Sequence, residues 1–300
     1  MDQFFLLIFC LGAGILLQRI PGFPKDAHRG INGFLIYLSL PAITLRFIST
    51  LQFDWSHTYP IAMGWLVFLG ALIFFPLVGR LFGWDQRTIG CLILCCGFSN
   101  TSFVGFPILE NFYGEAGLSI GVLCDQPGTF LPLSTFGIAI ASYFSSKSGR
   151  VRDWLLKPFT FPPFLAFLLG VVINLCGWAI PQTFMPTLEI IGNTMTPLAL
   201  VAVGLQLKIT KGTASPWPFG MGLVYKLFLA PLLIMGLYVG IIGLEGLSAN
   251  VSIIESAMPP MVVASIIAIE YDLNPRLASL LVGIGIPISL LTVYSWYLLI

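Results

Sequence analysis

Stretches of roughly 20 apolar residues, separated by short polar linkers, recur along this chain from one end to the other. A helix of that length closes its backbone hydrogen bonds within itself and crosses the hydrocarbon of a bilayer. Barrel strands need only about 10 residues of alternating character. The stretches run 3–20, 31–50, 60–82, 88–111, 116–144, 159–180, 188–207, 218–243, 250–270 and 276–299. They predict an all-α membrane protein of ten transmembrane helices. Composition agrees, because 57% of the 300 residues are hydrophobic and 9% are charged, with a net charge of +1. A soluble domain carries roughly a quarter charged residues. A soluble enzyme, a disordered chain and a nucleic-acid binder relying on a basic face are thereby excluded.

The basic residues set the orientation. Arg19, Lys25, Arg29, Arg80, Arg87, Lys147, Arg150, Arg152, Lys157, Lys208, Lys211 and Arg276 fall in alternate linkers, and the remaining linkers hold no Lys or Arg. One side of the protein thus gathers the positive charge and is expected to be cytoplasmic, which with an even number of spans leaves both termini outside. The first span has no basic residue ahead of it and no small-residue cleavage site, so it reads as a retained helix. All six cysteines fall within the expected spans and read as packing residues, not a disulfide framework. Two distant histidines and no thiolate cluster give no metal site, and no cofactor is implied.

The two halves resemble each other. Pro41 and Pro197 are 156 residues apart, Thr135 and Thr292 are 157 apart, and Tyr113 and Tyr271 are 158 apart. The expected organisation is a first five-helix repeat over 1–145, a short cytoplasmic linker at 146–157, and a second repeat over 158–300. An odd number of spans per half inverts the second repeat relative to the first, an arrangement common in secondary transporters. Pro41 and Pro197 are expected helix breaks or hinges.

The fourth and ninth spans are equivalents under this repeat. The fourth contains the run Gly97 to Pro107, including Ser99, Asn100, Thr101, Ser102 and Gly105; the ninth contains Glu255, Ser256, Ala257, Met258, Pro259 and Pro260. Proline inside a helix removes a hydrogen bond and clashes with the preceding turn. Both helices are expected to break near mid-membrane, where irregular backbone is tolerated only inside protein or around a watery cavity. The second half-helices are expected to start near Gly105 and Pro260. Their free N–H groups suit a carboxylate or other anion. The bland alternative is a pair of proline kinks held by neighbours.

Charge inside the membrane costs roughly 2.5–3.5 kcal/mol per residue on insertion scales and asks for a reason. Arg46, Asp125, Lys226 and Glu255 lie within spans. Asp125 or Glu255 is expected to bind or gate a coupling proton, with Lys226 or Arg46 offsetting charge; the alternative is a static buried ion pair. Arg46 sits near the outer end of its span, where a long side chain can snorkel.

Ser39-Leu40-Pro41, Asn100-Thr101 through Gly105-Phe106-Pro107, Ala257-Met258-Pro259-Pro260 and Tyr271-Asp272-Leu273 together resemble the auxin efflux carrier family of membrane transporters. The resemblance covers essentially the whole chain. It implies an inverted five-plus-five fold whose fourth and ninth helices cross at their breaks, on a scaffold of spans one, two, six and seven. It also implies that the crossover binds the carboxylate of a small organic anion, malate-like, malonate-like or auxin-like. That role falls on Asn100, with Pro107, Pro259 and Pro260 shaping the site and Asp125 and Gln126 lining it; Thr101, Ser102, Gly105 and Met258 complete the expected substrate-binding set. A homodimer, a coupling proton or sodium ion, and a bacterial-type member in the plasma (inner) membrane are further implications. The short central linker differs from the long loop of many plant members.

Three other readings compete. A ten-helix drug/metabolite-type exporter needs no mid-membrane breaks, a bile-acid-type symporter would depend on sodium, and a passive channel would show no counterflow. An enzyme is not expected. The chain has no His-Glu-x-x-His, no histidine within a span beside Ser99 or Ser102, and no paired Asp cluster.

Overall fold

The computed structural model describes residues 2–52, 54–145, 158–206 and 216–300. Among these the chain is helical, and the one β interaction is an isolated bridge. In chain order the helices are α1 (Asp2–Leu17), α2 (Ala27–Thr50), α3 (Thr58–Phe82), α4 (Gln86–Gly97), α5 (101–113), α6 (115–144), α7 (Pro162–Leu175), α8 (Met185–Gln206), α9 (Pro216–Ile241), α10 (Leu247–Ser256), α11 (Val262–Glu270) and α12 (Pro275–Leu299). The middle of α6 and much of α9 wind as wider π turns. Gly114 separates α5 from α6 with φ 62° and ψ −154°, a conformation an L side chain rarely adopts.

Among the described residues five helices are long and apolar enough to cross a membrane: Ala27–Thr50, Trp55–Phe82 (α3 with its leading turn), Met185–Gln206, Pro216–Ile241 and Pro275–Leu299. Shorter apolar helices accompany them, including Gln86–Gly97 and Pro162–Leu175. The distribution of polarity is that of a membrane protein. Large apolar side chains such as Ile73, Leu81, Ile241 and Leu291 face outward, while Asn100, Thr101, Asp125, Gln126, Lys226 and Glu255 are buried. In lipid, polar groups that find no water must find partners inside the protein.

The basic linker residues Lys147, Arg150, Arg152, Lys157, Lys208 and Lys211 lie outside the described residues. So does the junction expected at 146–157 between the two repeats. Cys176 departs from its expected packing role: it follows the last turn of α7 and is exposed, whereas the other five cysteines are buried and free.

Close approach of helices rests on glycine. A Cβ added to Gly14 of α1 would stand 2.9 Å from the Cα of Gly204 in α8, and the reverse substitution meets the Cα of Gly14 at 2.9 Å. Gly64 of α3 lies directly against the backbone of Gly128 in α6. These contacts press main chain on main chain, the packing that small residues permit between helices in lipid.

Candidate functional site

Two helical interruptions face each other in the interior. After α4 the chain is extended at Phe98 (φ −120°, ψ 138°), and helical turns resume at Thr101. After α10 the chain unwinds through Ala257 to Pro260 and resumes as a helix at Val262. Ser99 and Pro260 form the isolated antiparallel bridge. The Asn100 N–H donates to the Pro259 carbonyl at 3.0 Å, and the Met261 N–H donates to the Cys95 carbonyl at 3.3 Å. Each break thus supplies an acceptor for one backbone N–H of the other, as burial without water favours.

The restart points differ from those expected. Gly105 lies inside α5, closing a wide turn in which its N–H donates to the Asn100 carbonyl at 3.0 Å. The free N–H groups therefore belong to the turn beginning at Thr101, not to one beginning at Gly105. Pro260 is likewise still extended, because a proline pair has no N–H with which to start closing a helix. Pro107 takes an early position in the regular part of α5, where its missing N–H costs least. Pro41 sits in α2 just after a π turn at Leu35–Ser39, so that helix widens there and does not break. Pro197 stands in the first turn of the second part of α8, after a turn at Asn193-Thr194.

The charged side chains sit around these interruptions in dissimilar company. Asp125 accepts from Thr101 Oγ1 at 2.5 Å, Ser102 Oγ at 2.7 Å and Gln126 Nε2 at 2.6 Å. Lys226 Nζ donates to Ser99 Oγ at 2.7 Å and to the Ser256 carbonyl at 2.6 Å, so one ammonium ties both interruptions together. Glu255 is fully buried and neither of its carboxyl oxygens has a hydrogen-bond partner. Asn100 Nδ2 and Gln126 Oε1 are also buried and unpaired. Met258, Pro259 and Pro260 are buried around the second interruption.

The charges expected to offset one another do not meet as direct ion pairs. Among the described residues no ion pair joins Lys226 to Asp125 or Glu255 within 4.0 Å. Arg46 instead reaches Glu115 at 2.8 Å and Glu189 at 3.8 Å, linking α2 to the start of α6 and to α8. Pro107 and Pro197 share a cavity of about 170 Å³ with Leu6, Glu110, Asn111 and Thr196, in which Thr196 Oγ1 donates to Glu110.

Two tryptophans were not singled out by the sequence. Asp125 and Lys226 each occupy the second position of a π turn, at Cys124–Phe130 and Tyr225–Leu229. Such turns leave carbonyls without their usual partners. Trp65 Nε1 donates to the Pro127 carbonyl at 3.0 Å, and Trp296 Nε1 donates to the Leu227 carbonyl at 2.9 Å. The only sequence signal was an indole within an apolar span, where its N–H needs an acceptor when buried.

Comparison with known proteins gives this arrangement its context. The model of the family described as "Membrane transport protein" matches residues 1–148 and 150–297. The chain belongs to that family. An uncharacterized transporter of Methanocaldococcus jannaschii is 24% identical, with 99% of this chain and 97% of the relative aligned. The transporter YfdV of Escherichia coli is 22% identical over 97% of this chain and 94% of its own length. Auxin efflux carrier component 6 of Arabidopsis thaliana is 29% identical over 44% of this chain and 24% of its own length. Membership of a transporter family, with the apolar helices above, makes this a multi-pass membrane transport protein whose setting is the lipid bilayer.

Proposed function

We propose that this member of the family is a secondary transporter that moves a small organic anion by alternating access around the paired interruptions. In this reading α4–α5 and α10–α11 are the fourth and ninth of ten spans, arranged as two inverted repeats and crossing at their breaks. Both termini face outward, in the plasma (bacterial inner) membrane. The carrying observation is the set of unsatisfied polar groups at the backbone pairing: the buried, unpartnered Asn100 Nδ2 beside a helical turn that begins at Thr101. An amide N–H and the free N–H groups of that turn favour a carboxylate. Gln126, Gly105, Pro107, Met258, Pro259 and Pro260 shape the site. Thr101 and Ser102 serve it through Asp125, to which they already donate. The name of the plant relative, auxin efflux carrier, supports an organic acid as cargo. A proton or sodium ion drives the cycle through the buried charged residues Asp125, Glu255 and Lys226, and the protein works as a homodimer.

The test is a binding screen of the purified protein against mono- and dicarboxylates, followed by counterflow in proteoliposomes. At least one carboxylate is expected to bind and exchange, and Asn100→Ala is expected to weaken it by about tenfold, the loss of one hydrogen bond to a charged group. Absence of any carboxylate binding, or equal binding by Asn100→Ala, refutes the assignment. Steady flux without saturable counterflow would mean a channel.

A further inference from the structure

Asp125 and Glu255 are both buried at the paired interruptions, yet the protein treats them in opposite ways. Asp125 is surrounded by three donors, which is the environment of a carboxylate kept as an anion. Glu255 has none. Its carboxyl group lies against Gly105, where an added Cβ would stand 2.5 and 2.6 Å from its two oxygens. On another side an added Cβ on Gly121 would stand 3.6 Å from Oε1. In the Cβ direction a glycine presents a C–H, which cannot replace a hydrogen bond to a carboxylate. An ionised carboxylate sealed off from water without a donor is among the costliest groups to bury, and such a group takes up a neutralising cation instead.

The neighbouring charges narrow the choice of cation. From α6 the groups acting on Glu255 are Asp125 and, through its thiol, Cys124; from α9 it is Lys226. The two tyrosines of α9 commit their hydroxyls elsewhere, Tyr225 to the Val67 carbonyl and Tyr238 to the Tyr59 carbonyl. The ionisable groups of α3 and α12, such as Arg80, Arg276 and Tyr297, stand toward the ends of those helices. Those of α5, Glu110 and Tyr113, stand at its outer end. A metal cation needs several ligands around it; the C–H faces of Gly105 and Gly121 occupy two sides of this carboxyl, and among the described residues no group of three His, Cys, Asp or Glu side chains gathers to hold one. A proton needs one oxygen.

We propose that Glu255 is the proton-binding site of the transport cycle, and that Asp125 is a fixed anion organising the first interruption. In each cycle the Glu255 carboxylate takes one proton from the side to which the site is open and releases it to the other, making the anion's movement proton-coupled. This rests on the transporter reading above and identifies its driving ion.

The test uses the full-length protein reconstituted in liposomes. Infrared difference spectra across a pH titration are expected to show the C=O stretch of a protonated carboxylic acid in the wild type. The band is expected to be absent in Glu255→Gln and retained in Asp125→Asn. In vesicles loaded with a pH-sensitive dye, a malate gradient is expected to move protons through the wild type and not through Glu255→Gln. A band that survives Glu255→Gln or vanishes in Asp125→Asn overturns the proposal. So does wild-type transport that responds to a sodium gradient and not to a pH gradient, a result that needs no variant to fold. If no carboxylate moves through the wild type, the transporter reading falls, while the infrared result still decides the role of Glu255 on its own.

Discussion

Gly14 and Gly12 lie two residues apart on α1 and are expected to respond oppositely to alanine. At Gly12 an added Cβ meets nothing within 4 Å. At Gly14 it meets the Gly204 Cα at 2.9 Å, the Leu205 nitrogen at 3.0 Å and, closer still, the Val201 carbonyl oxygen. These are backbone atoms of α8, so no side chain can swing aside. Ordinary contact begins at 3.4 Å, so α1 and α8 must part by roughly 0.5 Å or more along that seam. A gap of about 0.5–1 Å forfeits a quarter to a half of each dispersion contact it opens. The separation also strains the bond from Gln18 Nε2 to the Gly204 carbonyl, 2.6 Å long. Overpacking of this kind costs about 1–3 kcal/mol. Both variants gain up to about 1 kcal/mol of helix propensity over glycine, and this gain cancels when they are compared. Gly14→Ala is therefore expected to be less stable than Gly12→Ala by about 1–3 kcal/mol, with Gly204→Ala alongside Gly14→Ala. Thermal denaturation in detergent, followed with a thiol-reactive dye that reports exposure of the five buried cysteines above the constant signal of exposed Cys176, measures the order. A Gly14→Ala melting point equal to or above that of Gly12→Ala would refute the close-packed seam.

Other outcomes follow from particular contacts. Asp85 caps α4 by accepting from the Thr88 N–H at 2.9 Å and hydroxyl at 2.8 Å. Partial burial pushes its carboxyl up, but these bonds outweigh that and hold it below its ordinary value. A depressed carboxyl stabilises the fold above its unfolded value and loses that contribution as pH falls through the folded one. Asp85→Ala is expected to cost about 1 kcal/mol at neutral pH, with the difference from wild type shrinking in acid melts below the ordinary carboxylate range; a constant difference would contradict the assignment. Gly105→Ala drives a methyl group into the Glu255 carboxyl and is expected to lower stability by about 1–3 kcal/mol, checked by melting against Gly236→Ala, whose added Cβ meets nothing within 4 Å. The Arg46–Glu115 pair has its carboxylate largely in solvent, 63% exposed. A double-mutant cycle is expected to give a coupling below about 1 kcal/mol, and a larger value would make the pair a structural clasp.

The helical character of the fold was legible because apolar length is a local property. The helix at Thr58–Phe82 begins two residues before the expected 60–82 span, and the broken stretches announced themselves through Asn100, Pro107, Pro259 and Pro260. What sequence could not supply was the pairing of distant groups. Lys226 meets Ser99 across 127 positions and Arg46 meets Glu115 across 69. Four charges in apolar spans suggested mutual compensation, yet the direct partners of Lys226 are a hydroxyl and a carbonyl, and Arg46 finds acids nearer the surface. The restart at Thr101 was misplaced because proline and glycine marked the end of the irregular segment more loudly than the hydroxyl residues that carry the first turn.

The interruptions hold one another through main-chain atoms, Asn100 N–H to Pro259 carbonyl and Met261 N–H to Cys95 carbonyl, and main-chain atoms are common to every residue type. Side chains that do not bridge the two interruptions, as Lys226 does, can therefore change without dismantling this pairing. On the transporter reading proposed above, a change of cargo by point substitution would leave that main-chain pairing in place.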